Sequence, residues 1–180
     1  NLGRTQLLGK HKTLSINELE KTIYEITSAV DYMCRMRIGA LIVIERDNSL
    51  AEYSNKAQKI YADVSGPLLS SIFYTNNPLH DGGVIIRGDK IICAGAVFPT
   101  SDSLTISKRL GTRHRAALGI SEQTDCISLV VSEETGRISI AIGGELMYNL
   151  SLDEVRIRLL EALAPSHKIL NEAKEKMGNE

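Results

Sequence analysis

Three short stretches carry the residue types that chemistry needs. The first is Pro78-Leu79-His80-Asp81-Gly82-Gly83-Val84-Ile85-Ile86. It sets an imidazole beside a carboxylate, follows them with two residues lacking a Cβ, and ends in a β-branched run that reads as a buried strand. The glycines let backbone approach something bulky, or adopt positive φ, where the strand begins. A tight turn capped by the Asp81 side chain explains the same letters more plainly. The second stretch is Gly111-Thr112-Arg113-His114-Arg115-Ala116-Ala117-Leu118-Gly119. Its alanines and leucine favour helix, so two arginines and a histidine fall in a first helical turn. The positive end of the helix dipole disfavours cations there unless an anion meets them. Free N–H groups and guanidinium forks at such a terminus make a phosphate site; the plainer alternative is a solvated basic helix start. The third stretch, Ser132-Glu133-Glu134-Thr135-Gly136, puts two carboxylates at a hairpin tip. They are ordinary solvated charges unless they share a cleft with His80 and Asp81.

Carboxylates and imidazole suit a divalent metal, and cations with backbone N–H groups suit phosphates. The combination fits phosphoryl or nucleotidyl transfer, where catalysis is mainly positioning and charge stabilisation. The sequence has no Walker A motif and no Gly-x-Gly-x-x-Gly, which argues against P-loop and Rossmann nucleotide sites. His80-Asp81 is similar to the pairing in metal phosphohydrolases, but no further ligand cluster with suitable helical spacing accompanies it. No Ser or Cys nucleophile sits in a recognised setting.

The elements that must position these groups follow from periodicity. Ser15-Ile16-Asn17-Glu18 has the form of a capping box. Apolar residues at Ile16, Leu19, Ile23, Ile26, Val30, Met33 and Met36 then make one helical stripe of about six turns. Gly39–Ile44 is an apolar run too short for a helix, hence a strand buried on both faces. The segment to Gln58 reads as a short helix or irregular, and Ile60–Val64 as a short strand. Ser65 caps a helix with Leu68, Leu69, Ile72 and Phe73 on its apolar side, ended by Asn76-Asn77-Pro78. Val84–Ile86 and Lys90–Val97 flank a hairpin turn at Arg87-Gly88-Asp89, which turn chemistry explains without any adhesion role. Thr100–Leu110 is a polar loop. Cys126–Ser132 and Arg137–Ile142 form a second hairpin, and Glu145–Leu150 adds a short strand. Ser151-Leu152-Asp153-Glu154 caps a last helix carrying Val155, Ile157, Leu159, Leu160 and Leu163, which Pro165 ends. Hairpins and buried runs intermingle with helices, so the fold class is α/β: a single domain with a mixed sheet flanked by helices.

Composition bounds the partners. A chain of 180 residues, 43% apolar and 24% charged, fits one domain with a real core. Its net charge of -1 suggests no general polyanion-binding surface. The absence of Trp and the presence of only 2 Phe leave little for base stacking, so no nucleic acid is expected. Cys34, Cys93 and Cys126 read as buried, reduced thiols of a cytoplasmic domain without metal-ligand spacing. No run approaches the ~20 apolar residues of a membrane span, and there is no signal peptide. Because the chain starts at Asn1, a membrane anchor could precede it.

Leu79–Ile86, Leu110–Ala117 and Val131–Gly136 together resemble the diadenylate cyclase (DAC) domain, with similarity from roughly Ile23 to Leu163 that includes Arg37-Ile38-Gly39-Ala40-Leu41. The family's Asp-Gly-Ala motif is Asp81-Gly82-Gly83 here, so the pocket is expected to survive with some loss of local rigidity. The resemblance divides the chain into an entering arm at 1–14, a cyclase domain at 15–165 with a central twisted mixed sheet of the DisA-N-like type, and a polar tail at 166–180. It implies synthesis of cyclic di-AMP from two ATP, with release of two pyrophosphates. The cofactor would be Mg²⁺, Mn²⁺ or Co²⁺, and two domains would meet face to face in a homodimer, each presenting one ATP. By the same resemblance Asp81, Gly82, Arg113, His114 and Arg115 would form the catalytic motifs, Asp81 orienting or deprotonating the ribose 3′-OH. Gly82, Gly83, Phe98, Thr112, Arg113, His114, Ser132 and Glu133 would hold the nucleotide, with the Phe98 region lining the adenine pocket. His80, Asp81 and Glu134 would be metal or metal-proximal groups. The arm and long first helix look like the junction after the membrane helices in the membrane-bound class of this family, hence a cytoplasmic domain of an anchored bacterial protein. Two other readings compete: an ATP or cyclic-dinucleotide sensor without turnover, and a metal-dependent phosphohydrolase.

Overall fold

In the computed structural model, residues 13–103, 108 and 110–164 are described. The chain runs α1 (Ile16–Met36), β1 (Ala40–Ile44), α2 (Ala51–Ser54), β2 (Gln58–Asp63), α3 (Gly66–Phe73), β3 (Gly83–Arg87) and β4 (Lys90–Ala96). It continues through α4 (Thr112–Gln123), β5 (Ile127–Val131), β6 (Ile138–Ile142), β7 (Glu145–Leu150) and α5 (Leu152–Leu163). The entering arm up to residue 12, Pro165 and the polar tail, and residues 104–107 and 109 of the polar loop lie outside the described residues.

The local signals act where their chemistry predicts. Ser15 and Ser65 accept hydrogen bonds from the Glu18 and Leu68 N–H groups and so start α1 and α3. At Ser151 both halves of the capping box form, since Glu154 also accepts from the Ser151 N–H. α1 ends at Arg37, whose φ of 52° reverses the chain toward β1.

One seven-stranded mixed sheet has the order β2-β4-β3-β1-β5-β6-β7. β1 runs parallel to β3 and antiparallel to β5, and the other neighbours pair antiparallel. Alternation along β1 separates two cores. Ala40, Ile42 and Ile44 pack with Val84, Ile86, Leu129 and the apolar stripes of α1, α3 and α5. Leu41 and Val43 face the other way, with Ile85, Val130 and the Ala117 and Ile120 face of α4. Both faces of β1, β3 and β5 are therefore covered, which is why these strands read as unbroken apolar runs.

Several expectations shift. β2 starts at Gln58 and ends at Asp63, because it is an edge strand whose register breaks between Lys59 and Ala62, with Tyr61 at positive φ. β4 stops at Ala96, leaving Val97 81% exposed. Ile16 and Met36 are exposed at the two ends of the α1 stripe, and Ile157 is exposed because it lies on the face of α5 opposite buried Val155 and Leu159. Cys34 is half-buried rather than buried, while Cys93 and Cys126 lie in the core. No helix among the described residues is long and apolar enough to cross a membrane.

Candidate active site

Strand register gathers the three stretches at one edge of the sheet. Ala40 lies opposite Val131, Gly83 opposite Ala96, and Ile138 opposite both Val131 and Leu150. The entries to β1 and β3 therefore stand beside the exits of β4 and β5. Residues 80–82, 97–100 and 132–136 emerge at that edge, and the first turn of α4 joins them. Between them lies a cleft of two adjoining lobes that share Thr112, Arg113 and Glu133. One lobe, about 480 Å³, is lined by Leu41, His80, Asp81, Gly82 and Phe98. The other, about 340 Å³, adds His114, Ser132, Glu134, Tyr148 and Asn149. Each volume falls in the range of small-molecule sites. A wider groove of about 960 Å³ between α1 and α3, walled by Tyr24, Tyr32 and Tyr74, has Glu25 as its one ionisable group besides those tyrosines. The cleft with convergent charges is the better candidate.

His80 is set by its own loop. Its Nδ1 donates to the Asn77 carbonyl at 2.7 Å, which leaves Nε2 3.4 Å from Asp81 Oδ1. With Nδ1 carrying the proton, Nε2 and the carboxylate are two acceptors side by side, a pair that a cation would bridge. The Asp81 side chain is 91% exposed at the mouth of the cleft, free to meet a substrate hydroxyl. Gly82 has φ of 85°, and a Cβ there would come within 2.5 Å of the Ala96 carbonyl oxygen. The close approach that demands glycine is therefore made by the chain's own β4.

Gly83 is closely packed. A Cβ there would lie 2.8 Å from Phe98 Cε2 and 3.1 Å from Leu41 Cγ. The Phe98 ring has moved into the place of a methyl group. It also packs on Tyr53 with ring centroids 5.4 Å apart, and is buried beneath the cleft. The gap is filled.

α4 presents its cationic turn as a phosphate site would require. Gly111 supplies no side-chain cap, no acidic residue occupies the first turn, and Arg113 and His114 follow. His114 is buried, and that burial, assisted by Arg113, holds its pKa below the ordinary value despite Glu134. Burial thus favours the neutral imidazole. The Arg113 side chain is 20% exposed; its Nη1 lies 3.6 Å from Glu133 Oε2, and its buried Nε has no hydrogen-bond partner among the described residues. The Ser132 hydroxyl accepts from the Glu134 and Thr135 N–H groups, holding the turn and keeping its own proton to donate.

Not every expected residue meets the others. Arg115 lines neither lobe; its carbonyl accepts from the Ser101 N–H, and its charge acts on Tyr148 instead. Glu134 sits in the second lobe, apart from His80 and Asp81, and no group of three His, Cys, Asp or Glu suited to a metal forms among the described residues. A metal held by His80 and Asp81 would need its remaining ligands from phosphate oxygens and water, the usual arrangement for Mg²⁺. Tyr148 and Asn149 come to the site only through β6–β7 pairing, and nothing in their local sequence announces them.

Comparison with known proteins identifies the family and the fold. Residues 27–146 match the family described as DAC, DisA bacterial checkpoint controller nucleotide-binding. The chain is similar to a diadenylate cyclase of Listeria monocytogenes, 46% identical over 162 residues that cover 90% of this chain and 59% of that protein. It is equally similar to the cyclic di-AMP synthase CdaA of Bacillus subtilis, 46% identical over 89% of this chain and 59% of that one. The chain thus spans 59% of the length of these curated relatives. Among solved structures, a double-cysteine variant of DacA from Staphylococcus aureus superposes with a TM-score of 0.81 at 44% identity, covering 82% of this chain and 99% of that one. A hypothetical membrane spanning protein from Bacillus cereus gives a TM-score of 0.68 at 42% identity, covering 73% and 64%.

Proposed function

The chain belongs to the DAC family, and on that footing we propose that it is a diadenylate cyclase, condensing two ATP into cyclic di-AMP with release of two pyrophosphates. The observation that carries the proposal is the single cleft shared by His80-Asp81, the uncapped cationic start of α4 and the 132–134 turn. In each of two steps a ribose 3′-oxygen attacks the α-phosphorus of the other ATP. The phosphorus–oxygen bond to pyrophosphate breaks, and the hydroxyl proton leaves through Asp81. The Arg113 guanidinium, the neutral His114 and Thr112 meet the phosphate charge as hydrogen-bond donors, with Ser132 and Glu133 at the same turn. Phe98 and Leu41 give the base an apolar floor, and Gly82 and Gly83 shape the backbone beneath it. His80 and Asp81 would hold a divalent ion such as Mg²⁺, Mn²⁺ or Co²⁺, which would supply charge neutralisation at the phosphates. In this reading Glu134 acts by its charge beside His114, and Arg115, which touches Ser101 through its main-chain carbonyl, stands outside both lobes.

The cleft is open and its Asp81 is exposed, so one copy can present one ATP but cannot enclose two. The second nucleotide comes from a second copy, face to face. The Bacillus cereus neighbour is described as a membrane spanning protein, and work at the cytoplasmic face of a bacterial membrane is part of this proposal.

The test is incubation with ATP and each metal, resolved by chromatography, beside an Asp81→Asn variant. We expect cyclic di-AMP from the parent and about a hundred-fold less or lower from the variant, the range for losing a positioned general base. ATP binding without product at any protein concentration would support a sensor, and hydrolysis to mononucleotide would support a phosphohydrolase.

A further inference from the structure

We infer that Gly39 is the positioning residue for Arg113: the missing side chain at the entry to β1 is the seat in which the guanidinium lies. The inference rests on the reading of Arg113 as a phosphate-binding group.

Gly39 occupies the extended approach from the α1 C-cap to β1, and it is not among the glycines with positive φ. Backbone conformation therefore makes no demand for glycine here. The demand comes from what lies above. A Cβ at residue 39 would overlap Arg113 Nη1, lie 2.8 Å from Arg113 Cζ and 3.2 Å from Glu133 Cβ. All three neighbours are side-chain atoms, in contrast to Gly82, where the obstacle is the Ala96 and Gly95 backbone. The two nearest obstructed atoms are the far end of the Arg113 side chain, which can shift, while Glu133 Cβ need give only a few tenths of an ångström, so an added methyl displaces the guanidinium first.

A second observation is that the protein leaves the seated guanidinium with unmet donor capacity. Its Nε is buried with no hydrogen-bond partner among the described residues, and its contact with Glu133 is long. A buried, unpartnered donor on a charged group is costly, and such exceptions mark sites that a ligand completes. Arg113 also lines both lobes of the cleft, so its placement sets how they join. Without a methyl at 39, the guanidinium can rest against the β1 entry while Arg113 lines the cleft.

The test compares Gly39→Ala, Arg113→Ala and the double variant, using titration with ATP and with adenosine, and thermal melting. Gly39→Ala should weaken ATP binding by about ten-fold or more, the scale of one charge-assisted contact, and leave adenosine binding unchanged. Its melting temperature should hold or rise, since alanine has less unfolded-state entropy than glycine. The double variant should bind ATP no more weakly than Arg113→Ala. A Gly39→Ala protein that binds ATP like the parent, while Arg113→Ala does not, overturns the inference and leaves the phosphate role of Arg113 standing. An Arg113→Ala protein with undiminished ATP binding overturns that role and the inference with it. A fall in melting temperature that persists in the double variant also overturns the inference, because the demand at 39 would then come from Glu133 and the strand entry and not from the guanidinium.

Discussion

Position 83 shows how a missing methyl group is absorbed. The strand entry there faces Leu41 and the Phe98 ring, and the ring stands where a Cβ would project. Phe98 cannot retreat freely, because Tyr53 packs behind it. Gly83→Ala, which restores the family's Asp-Gly-Ala, is therefore an overpacking change in this chain. Calorimetric or denaturant unfolding should show a net loss of roughly 1–3 kcal/mol, with weaker ATP binding as the ring tilts into the cleft. Phe98→Leu in the same protein should recover most of the loss. A Gly83→Ala protein as stable as the parent would mean that the ring is not confined. A motif read letter by letter treats glycine and alanine as near equivalents; the neighbour across the strand decides otherwise.

At the scale of elements, α4 combines a packing face with a cationic start. Ala117 and Ile120 face the core, and Gly119 lets residues 99–101 cross the helix so closely that a Cβ would overlap the Pro99 carbonyl. That crossing carries the chain from β4 back along the cleft. The first turn buries His114, whose pKa burial holds below the ordinary 6.5. The unfolded chain therefore binds a proton that the folded chain refuses. Stability attributable to this group is complete above pH 6.5 and declines as pH falls below that value toward the lower folded pKa. Denaturant unfolding between about pH 5 and 7 should show this decline, at no more than about 1.4 kcal/mol per pH unit for one proton. His114→Gln should flatten it. An unchanged slope in the variant would assign the decline to other groups.

For the whole molecule, the decisive feature is one sheet edge at which four strand ends meet. The parallel β1–β3 pair places two strand entries side by side, and the antiparallel flanks bring β4 and β5 out at the same edge. The site has walls and a floor but no roof, and a second copy is proposed to provide it. Specific activity should then rise with protein concentration, approaching proportionality in the dilute limit where the dimer is scarce. A parent and an Asp81→Asn protein mixed at equal concentration should give well under the summed activity, since mixed pairs hold one deficient half. Specific activity independent of dilution down to nanomolar protein, with no dimer present in sedimentation, would remove the face-to-face arrangement.

The sequence by itself determined most elements and the three chemical stretches. Capping serines, period-two runs and a long helical stripe are local properties, and each acts within a few residues of its signal. β2 is marked least clearly, because an edge strand with a bulge has no clean alternation to display. The sequence also determined that His80-Asp81, Arg113-His114 and Glu133-Glu134 suit phosphate chemistry, and the family resemblance named which chemistry. Only the tertiary structure decided which of these residues share a cleft. Arg115 is next to His114 in sequence yet turned away from the lobes, and Glu134 is separated from the His80-Asp81 pair. Tyr148 and Asn149 join the site through strand pairing, and Gly39 through the Arg113 side chain that lies over it. Their roles depend on what stands opposite them, such as the Arg113 guanidinium over Gly39. Local propensity carries no record of such contacts, because each is made only when the sheet closes its register.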